Sequence, residues 1–278
     1  MKKYYQLIVL AVPLLFLAHI CSVSAASGIA AYYVDPGDSL VATLDGNMRV
    51  ITNTTSYTIF ISARTLEEQQ SFLNNLPAGV KIGGIKESFD SLSGWTEVDT
   101  YGPGVSMSLD SDTPPGGGSY SVLLSSSGTS GQGHMVKNFP EMPNYDEYKF
   151  TIWAKVKANG YGYSYGWMLV QDALDCTIGG WNGGDYNIYI YGSPSATNTS
   201  HYYPRAVNSW LRLELTMNTN TGMTVGEIYD SNGSLVYSDT CTNCTVTTCG
   251  PPSRIKLGTR SWSVIQWWKY DEIFVTPN

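Results

Sequence analysis

Beyond residue 87 the chain alternates apolar and polar residues with a period of two, and this pattern constrains its fold more than any other feature. Tyr148, Phe150, Ile152, Ala154 and Val156 are apolar and alternate with Lys149, Thr151, Trp153 and Lys155. Such alternation belongs to a strand with one face buried. Leu211, Leu213, Leu215 and Met217 repeat it against Arg212, Glu214 and Thr216. Between Val225–Tyr229 and Leu235–Tyr237, the sequence Asp230-Ser231-Asn232-Gly233 is a turn signal that closes a hairpin. No long helical pattern competes, and no repeat stands out at solenoid or propeller periods. The expected fold is mainly β, a two-sheet antiparallel sandwich.

The start of the chain indicates where such a sandwich is used. Lys2 and Lys3, the apolar stretch Leu7 to Ile20 and the small residues Val23-Ser24-Ala25 have the form of a signal peptide, residues 1–25. The apolar run is shorter than the roughly 20 residues of a spanning helix, and Ala18-His19-Ile20 before Cys21 does not match a lipoprotein processing site. No later run is apolar enough to span a bilayer, so the product is expected to be secreted or held at the cell surface. Loss of Lys2 and Lys3 takes the formal charge from -7 to -9, which argues against nucleic acid or anionic lipid as partners.

Four cysteines remain after cleavage: Cys176, Cys241, Cys244 and Cys249. An even number in an oxidising compartment implies two disulfides, with three pairings open. Zinc is the alternative for Cys241-x-x-Cys244, but no histidine is near. Sequons at Asn53, Asn198, Asn232 and Asn243 permit glycosylation, as in a glycoprotein.

Residues 26–85 read as a small strand and helix unit. Tyr57 to Ile61 alternate, and Thr65-Leu66-Glu67-Glu68 forms a capping-box pattern. Leu66, Phe72, Leu73 and Leu76 then lie largely along one side of a short helix ended by Pro77 and Gly79. Gly83-Gly84 supplies a hinge or boundary before the main domain, residues 86–278. The extended segment Gly28 to Val34 is either a strand of its own unit or one that adds to a neighbouring subunit, which would drive self-assembly.

Several segments of the main domain carry a resemblance. Glu87-Ser88-Phe89-Asp90 with Gly94-Trp95, Gly118-Ser119-Tyr120-Ser121-Val122-Leu123, Ser209-Trp210-Leu211-Arg212-Leu213 and Trp268 to Val275 resemble the first, second, late and last strands of concanavalin A-like (laminin G-like) lectin and glucanase domains. The resemblance spans residues 87 to 278 and implies a jelly roll. Galactose-binding-like carbohydrate-binding modules share several of these cues.

Catalytic relatives carry carboxylates at alternate positions on one strand, and no such array occurs here. Asp172 and Asp175 are three apart, Glu214 stands alone, and Glu97 with Asp99 is the one spaced pair on an apparent strand. The chain is therefore expected not to be an enzyme, a divergent glycoside hydrolase acting through Glu97 or Glu214 being one alternative.

Aromatic residues carry the positive case. Tyr161, Tyr163, Tyr165 and Trp167 alternate with Gly162, Ser164 and Gly166, so their rings share one strand face, which either fills the core or stays wet to stack on sugars. Gly179 to Asp185 reads as a flexible loop presenting Trp181, Asn182 and Asp185, followed by Tyr189 and Tyr191 on the register opposite Ile188 and Ile190. Rings beside polar groups suit glycan recognition, and Trp153 joins the set from the polar register of its strand. The resemblance also implies a structural Ca2+ where the first and last strands meet, at Glu87, Asp90 and Asp271. The expected function is a secreted or cell-surface carbohydrate-binding module, with a structural subunit of an extracellular layer or filament as the other alternative.

Overall fold

The computed structural model describes residues 29–278 except 45–46, 64, 102–104, 127–130, 157–163, 184–186, 192–201, 205–207 and 262–266. The expected signal peptide and the sequon at Asn198 lie outside the described residues.

The first unit comprises β1 (Ile29–Val34), β2 (Ser39–Leu44), β3 (Asn47–Asn53), β4 (Ile59–Ala63), α1 (Leu66–Asn74) and β5 (Val80–Ile82). β1 pairs antiparallel with β4 of the same chain, and β2, β3 and β5 form a second small sheet. Val34, Leu44, Ile51, Ile59, Ile61, Val80 and Ile82 make their core, with Phe72, Leu73 and Leu76 of the helical segment packed on it. The capping box forms as its sequence implies: the Thr65 hydroxyl accepts from Glu68 N–H and the Glu68 carboxylate from Thr65 N–H. Leu66 departs from expectation, since it is exposed and Gln69 is buried in its place, its amide donating to the Ala63 carbonyl. A first-turn residue at the cap points away from the sheets, whereas one turn on the side chain faces β4. Asn53 is also buried, donating to the Val34 and Tyr57 carbonyls, so its amide is consumed by the fold and offers no glycosylation site. Asn232 and Asn243 are exposed.

The junction is tighter than a hinge. A Cβ on Gly84 would lie 2.7 Å from Val50 and 2.9 Å from the Val275 carbonyl, so the backbone threads between the two units. Tyr145 adds a bridge, its hydroxyl donating to the Ile82 carbonyl at 2.8 Å.

The rest of the chain supplies β6 (Ile85–Glu87), β7 (Thr96–Tyr101), β8 (Val105–Asp110), β9 (Ser121–Ser126), β10 (Gly131–Asn138), β11 (Glu147–Val156), β12 (Ser164–Gln171) and β13 (Thr177–Gly183). It continues with β14 (Asn187–Tyr191), β15 (Tyr202–Pro204), β16 (Leu211–Asn218), β17 (Thr224–Tyr229), β18 (Leu235–Cys241), β19 (Arg254–Ser261) and β20 (Trp267–Pro277). A seven-stranded sheet runs β15-β14-β13-β12-β19-β10-β7, and an eight-stranded sheet runs β18-β17-β16-β11-β20-β9-β8 with β6 also on β20. The two face each other as a jelly-roll sandwich, in which the first and last strands pair through Ile85–Glu87 and Ile273–Val275. β11 alternates as its sequence implies, with Tyr148, Phe150, Ile152, Ala154 and Val156 all buried.

Glycines and indoles fit together between the sheets. Trp268 of β20 lies against Gly166 and Gly183, where a Cβ would come within 2.4 and 2.2 Å of its ring. Trp181 of β13 reaches the other sheet, its ring 2.9 Å from where a Cβ on Gly226 would stand. Gly179 to Gly183 therefore belong to a strand and not to the flexible loop expected from composition, because these glycines make room for Met217, Leu169 and Trp268. Disulfides join Cys176 to Cys249 and Cys241 to Cys244, resolving the pairing left open by the sequence. Among the described residues no helix is long and apolar enough to cross a membrane.

Added volume at Gly166 has no space to occupy. Gly166→Ala is expected to lower stability by about 2 kcal/mol, as overpacking of a close-packed core does, seen as a reduced urea midpoint with unchanged slope.

Candidate functional site

β12, β13 and β14 turn alternate residues into and out of the sandwich. Met168, Val170, Trp181, Ile188 and Ile190 point inward and are buried. Tyr165, Trp167, Asn182, Tyr189 and Tyr191 occupy the opposite register and remain partly exposed on the outer face of the seven-stranded sheet. The glycine side of the Tyr161–Trp167 pattern thus faces the core, where Trp268 fills it, and the aromatic side stays out. Tyr161, Tyr163 and Asp185 lie outside the described residues.

Backbone register aligns a single row across this face. Tyr189 is opposite Asn182, Asn182 opposite Trp167, Trp167 opposite Gly258, and Gly258 opposite His134. Trp167 leans over Gly258, where a Cβ would come within 2.0 Å of the indole, so the ring is bedded on the strand beside it. The flanking row sets Leu169 opposite Lys256, and on the other side Tyr165 is opposite Arg260. Three buried polar atoms of the central row have no hydrogen-bond partner: Trp167 Nε1, Asn182 Oδ1 and His134 Nδ1. Leaving such atoms unmet costs about 1–3 kcal/mol each, a cost that the packing of the row must offset.

Titration reflects the same crowding. Burial, with the charges of Lys256 and Arg254 beside it, lowers His134 to about 4, so its imidazole is neutral near pH 7. Burial, then the neighbouring phenols of Tyr165 and Tyr191, raises Tyr189.

Two expected members of the aromatic set are corrected. Trp181 is 0% exposed, because its strand register sends the indole inward, and it cannot touch a glycan. Trp153 is partly exposed but lies opposite Arg212 on the eight-stranded sheet, across the sandwich from Trp167. His134, Lys256, Gly258 and Arg260 escaped the sequence reading, since nothing local in β10 or β19 shows that they border the aromatic strands.

The carboxylates considered for catalysis are dispersed. Glu214 sits on the eight-stranded sheet between Lys149 and Arg212, at 2.7 and 2.8 Å. Asp172 accepts from the Leu174, Cys176 and Gly250 amides and shapes a turn, while Asp175 pairs with Arg254. Glu97 is exposed on the edge strand β7.

A second cluster forms where the β8–β9 connection meets β20. A register irregularity opposite Thr151 and Trp153, with Glu272 at φ 44°, brings the neighbouring residues Asp271 and Glu272 to one side. A Cβ on Gly117 would lie 2.9 Å from Asp271 Oδ2; one on Gly118 would lie 3.5 Å from the Ser88 carbonyl, 3.6 Å from Asp90 Oδ1 and 3.8 Å from Glu272 Oε1. Asp271 is fully buried, and its Oδ2 and Glu272 Oε1 have no hydrogen-bond partner. Burial raises Asp271 to about 7, the nearby Glu272, Asp90 and Glu87 adding to it. Buried carboxylate oxygens beside a backbone carbonyl suit a hard cation in kind, though among the described residues the only acidic, histidine or cysteine group whose ligand atoms already converge is Asp172, Cys176 and Cys249, whose cysteines are disulfide-bonded. Glu87 is corrected: it accepts from Phe89 N–H and Trp95 Nε1 and pairs with Lys137, so its carboxylate is engaged within the fold. Adjacent residues of a regular strand face opposite ways, so the sequence alone could not have placed Asp271 and Glu272 together.

No protein family and no curated protein is matched by the sequence. Solved structures place the fold. The chain resembles the cellulose induced protein Cip1 at 12% identity and TM-score 0.50, over 70% of this chain and 97% of that one. It resembles the T. cruzi calreticulin globular domain at 10% identity and TM-score 0.50, over 70% and 87%. A sialidase is similar over 84% of this chain, at 12% identity and TM-score 0.48, but this chain spans only 21% of its length. The fold is a concanavalin A-like jelly roll.

Trp181→Ala is expected to cost about 3–5 kcal/mol by emptying the core, so any loss of binding in that variant would track unfolding. Thermal unfolding of the purified variant checks this.

Proposed function

We propose that the chain is an exported, non-catalytic carbohydrate-binding module whose binding face is the outer surface of the seven-stranded sheet. The observation that carries this is Trp167, bedded over Gly258 on the outer face in one row with Tyr189, Asn182 and His134. A fixed aromatic surface gives the apolar face of a sugar a platform with little ordering cost, and adjacent amide, imidazole and phenol groups meet its hydroxyls. The dispersal of the carboxylates considered for catalysis supports a binding role over hydrolysis, which needs two flanking one bond. Two disulfides and the apolar leader support export.

Trp167→Ala is expected to abolish retention on a glycan array or in polysaccharide affinity gels while the unfolding temperature stays within a few degrees of the parent. Retention unchanged in the folded variant would overturn the assignment of this face.

Calcium belongs to the same reading as a structural ion that would draw together Asp90, Asp271, Glu272 and the Ser88 carbonyl. When bound, it neutralises the buried carboxylates and ties the first strand of the sandwich to the last. Saturating Ca2+ is expected to stabilise the protein by about 2.7 kcal/mol at a hundred times its Kd, read as a rise in unfolding temperature over chelated protein. Asp271→Asn should abolish that rise, and an identical melting curve with and without chelator would refute the ion.

A further inference from the structure

We propose that the glycan taken by this face is anionic, a polysaccharide whose sugars carry carboxylate groups. The inference rests on the binding face assigned above and adds the charge of its ligand. Although the whole chain carries a formal charge of -7, the outward positions of the seven-stranded sheet present Arg254, Lys256 and Arg260 on β19, while the exposed Glu97 of the edge strand β7 takes the register of inward-facing Met135.

The placement of these cations relative to the platform is specific. Because Trp167 leans over Gly258, its indole sits between Lys256 and Arg260, each two residues along the same strand face and about 7 Å away along it. Arg254 is paired with Asp175, but Lys256 has no carboxylate within ion-pair distance among the described residues. Lys256 is half-buried, and burial with the adjacent Arg254 charge disfavours its protonated form. A half-buried lysine with no counter-charge, beside an aromatic platform, is completed by an anion brought by the ligand. A sugar stacked on Trp167 would place a ring carboxylate within reach of Lys256 on one side or Arg260 on the other. Neutral His134 contributes hydrogen bonding there without repelling the cations.

The test compares polygalacturonate with its fully methyl-esterified form in affinity electrophoresis, alongside dextran sulfate and single-stranded DNA. Polygalacturonate is expected to retard the protein at least about tenfold more strongly than the ester, the worth of one charge-assisted hydrogen bond. Lys256→Gln and Arg260→Gln should each remove most of that difference and leave binding of the ester unchanged, with Lys256→Arg restoring it. Trp167→Ala should abolish binding of both forms. Retention of dextran sulfate in place of polygalacturonate, lost in Lys256→Gln, would support an anionic ligand and assign the anion as sulfate. Equal retention of acid and ester would overturn the charge inference and leave the glycan site standing. No retention of any polysaccharide would overturn the glycan site itself. Binding of DNA as tight as that of polygalacturonate and insensitive to Trp167→Ala would overturn the proposal in favour of a nonspecific polyanion surface. Thermal unfolding of each variant separates these outcomes from misfolding.

Discussion

The structure depends on two indoles closing the space between its sheets. Trp268 rises from the eight-stranded sheet onto Gly166 and Gly183, and Trp181 crosses from the seven-stranded sheet toward Gly226. Each large side chain is met by the absence of one, which is how a close-packed interior accommodates rings without voids. Both indole N–H groups lack a partner there, so the arrangement is held by apolar burial against the cost of two unmet donors. Inward tryptophans fix the register of β12 and β13, and with it the direction in which every other residue of those strands points.

The candidate binding face follows from that register. Once Gly166 and Met168 are committed to the core, Tyr165 and Trp167 must face out, and pairing then carries the row to Asn182 and Tyr189 on one side and Gly258 on the other. Gly258 performs on the surface what Gly166 performs inside, letting an indole lie flat against the backbone. The face is consequently rigid where it is aromatic and charged where it borders β19. The buried acidic cluster lies elsewhere, on β20 and the segment after β6.

Much of the sandwich was legible in the residues. Alternation in β11 and β16, the Asp230–Gly233 turn and the capping box at Thr65 are local patterns whose physics does not need distant partners, whereas the pairing of first and last strands was implied only by the resemblance. The aromatic strand face was legible too, though not its direction. Glycine-rich composition misled at Gly179–Gly183, because glycine serves flexible loops and crowded strands alike and only the neighbouring side chain distinguishes them. Leu66 faces out and Gln69 faces in because nine residues of helix leave the orientation of the first turn to the sheet beneath it.

Local pattern was enough to give most of the strands, their period of two, an even set of cysteines and a stock of tyrosines and tryptophans. Tertiary structure alone decided which ring is sealed, as Trp181 is, and which lies open, as Trp167 does. It alone brought Lys256 and Arg260 to the flanks of that ring and turned Asp271 and Glu272 to the same side. The physical reason is that a period of two states only that neighbours along a strand face opposite ways. Which of those ways is inward depends on the partner sheet, and that information is distributed across residues more than a hundred positions apart in the chain.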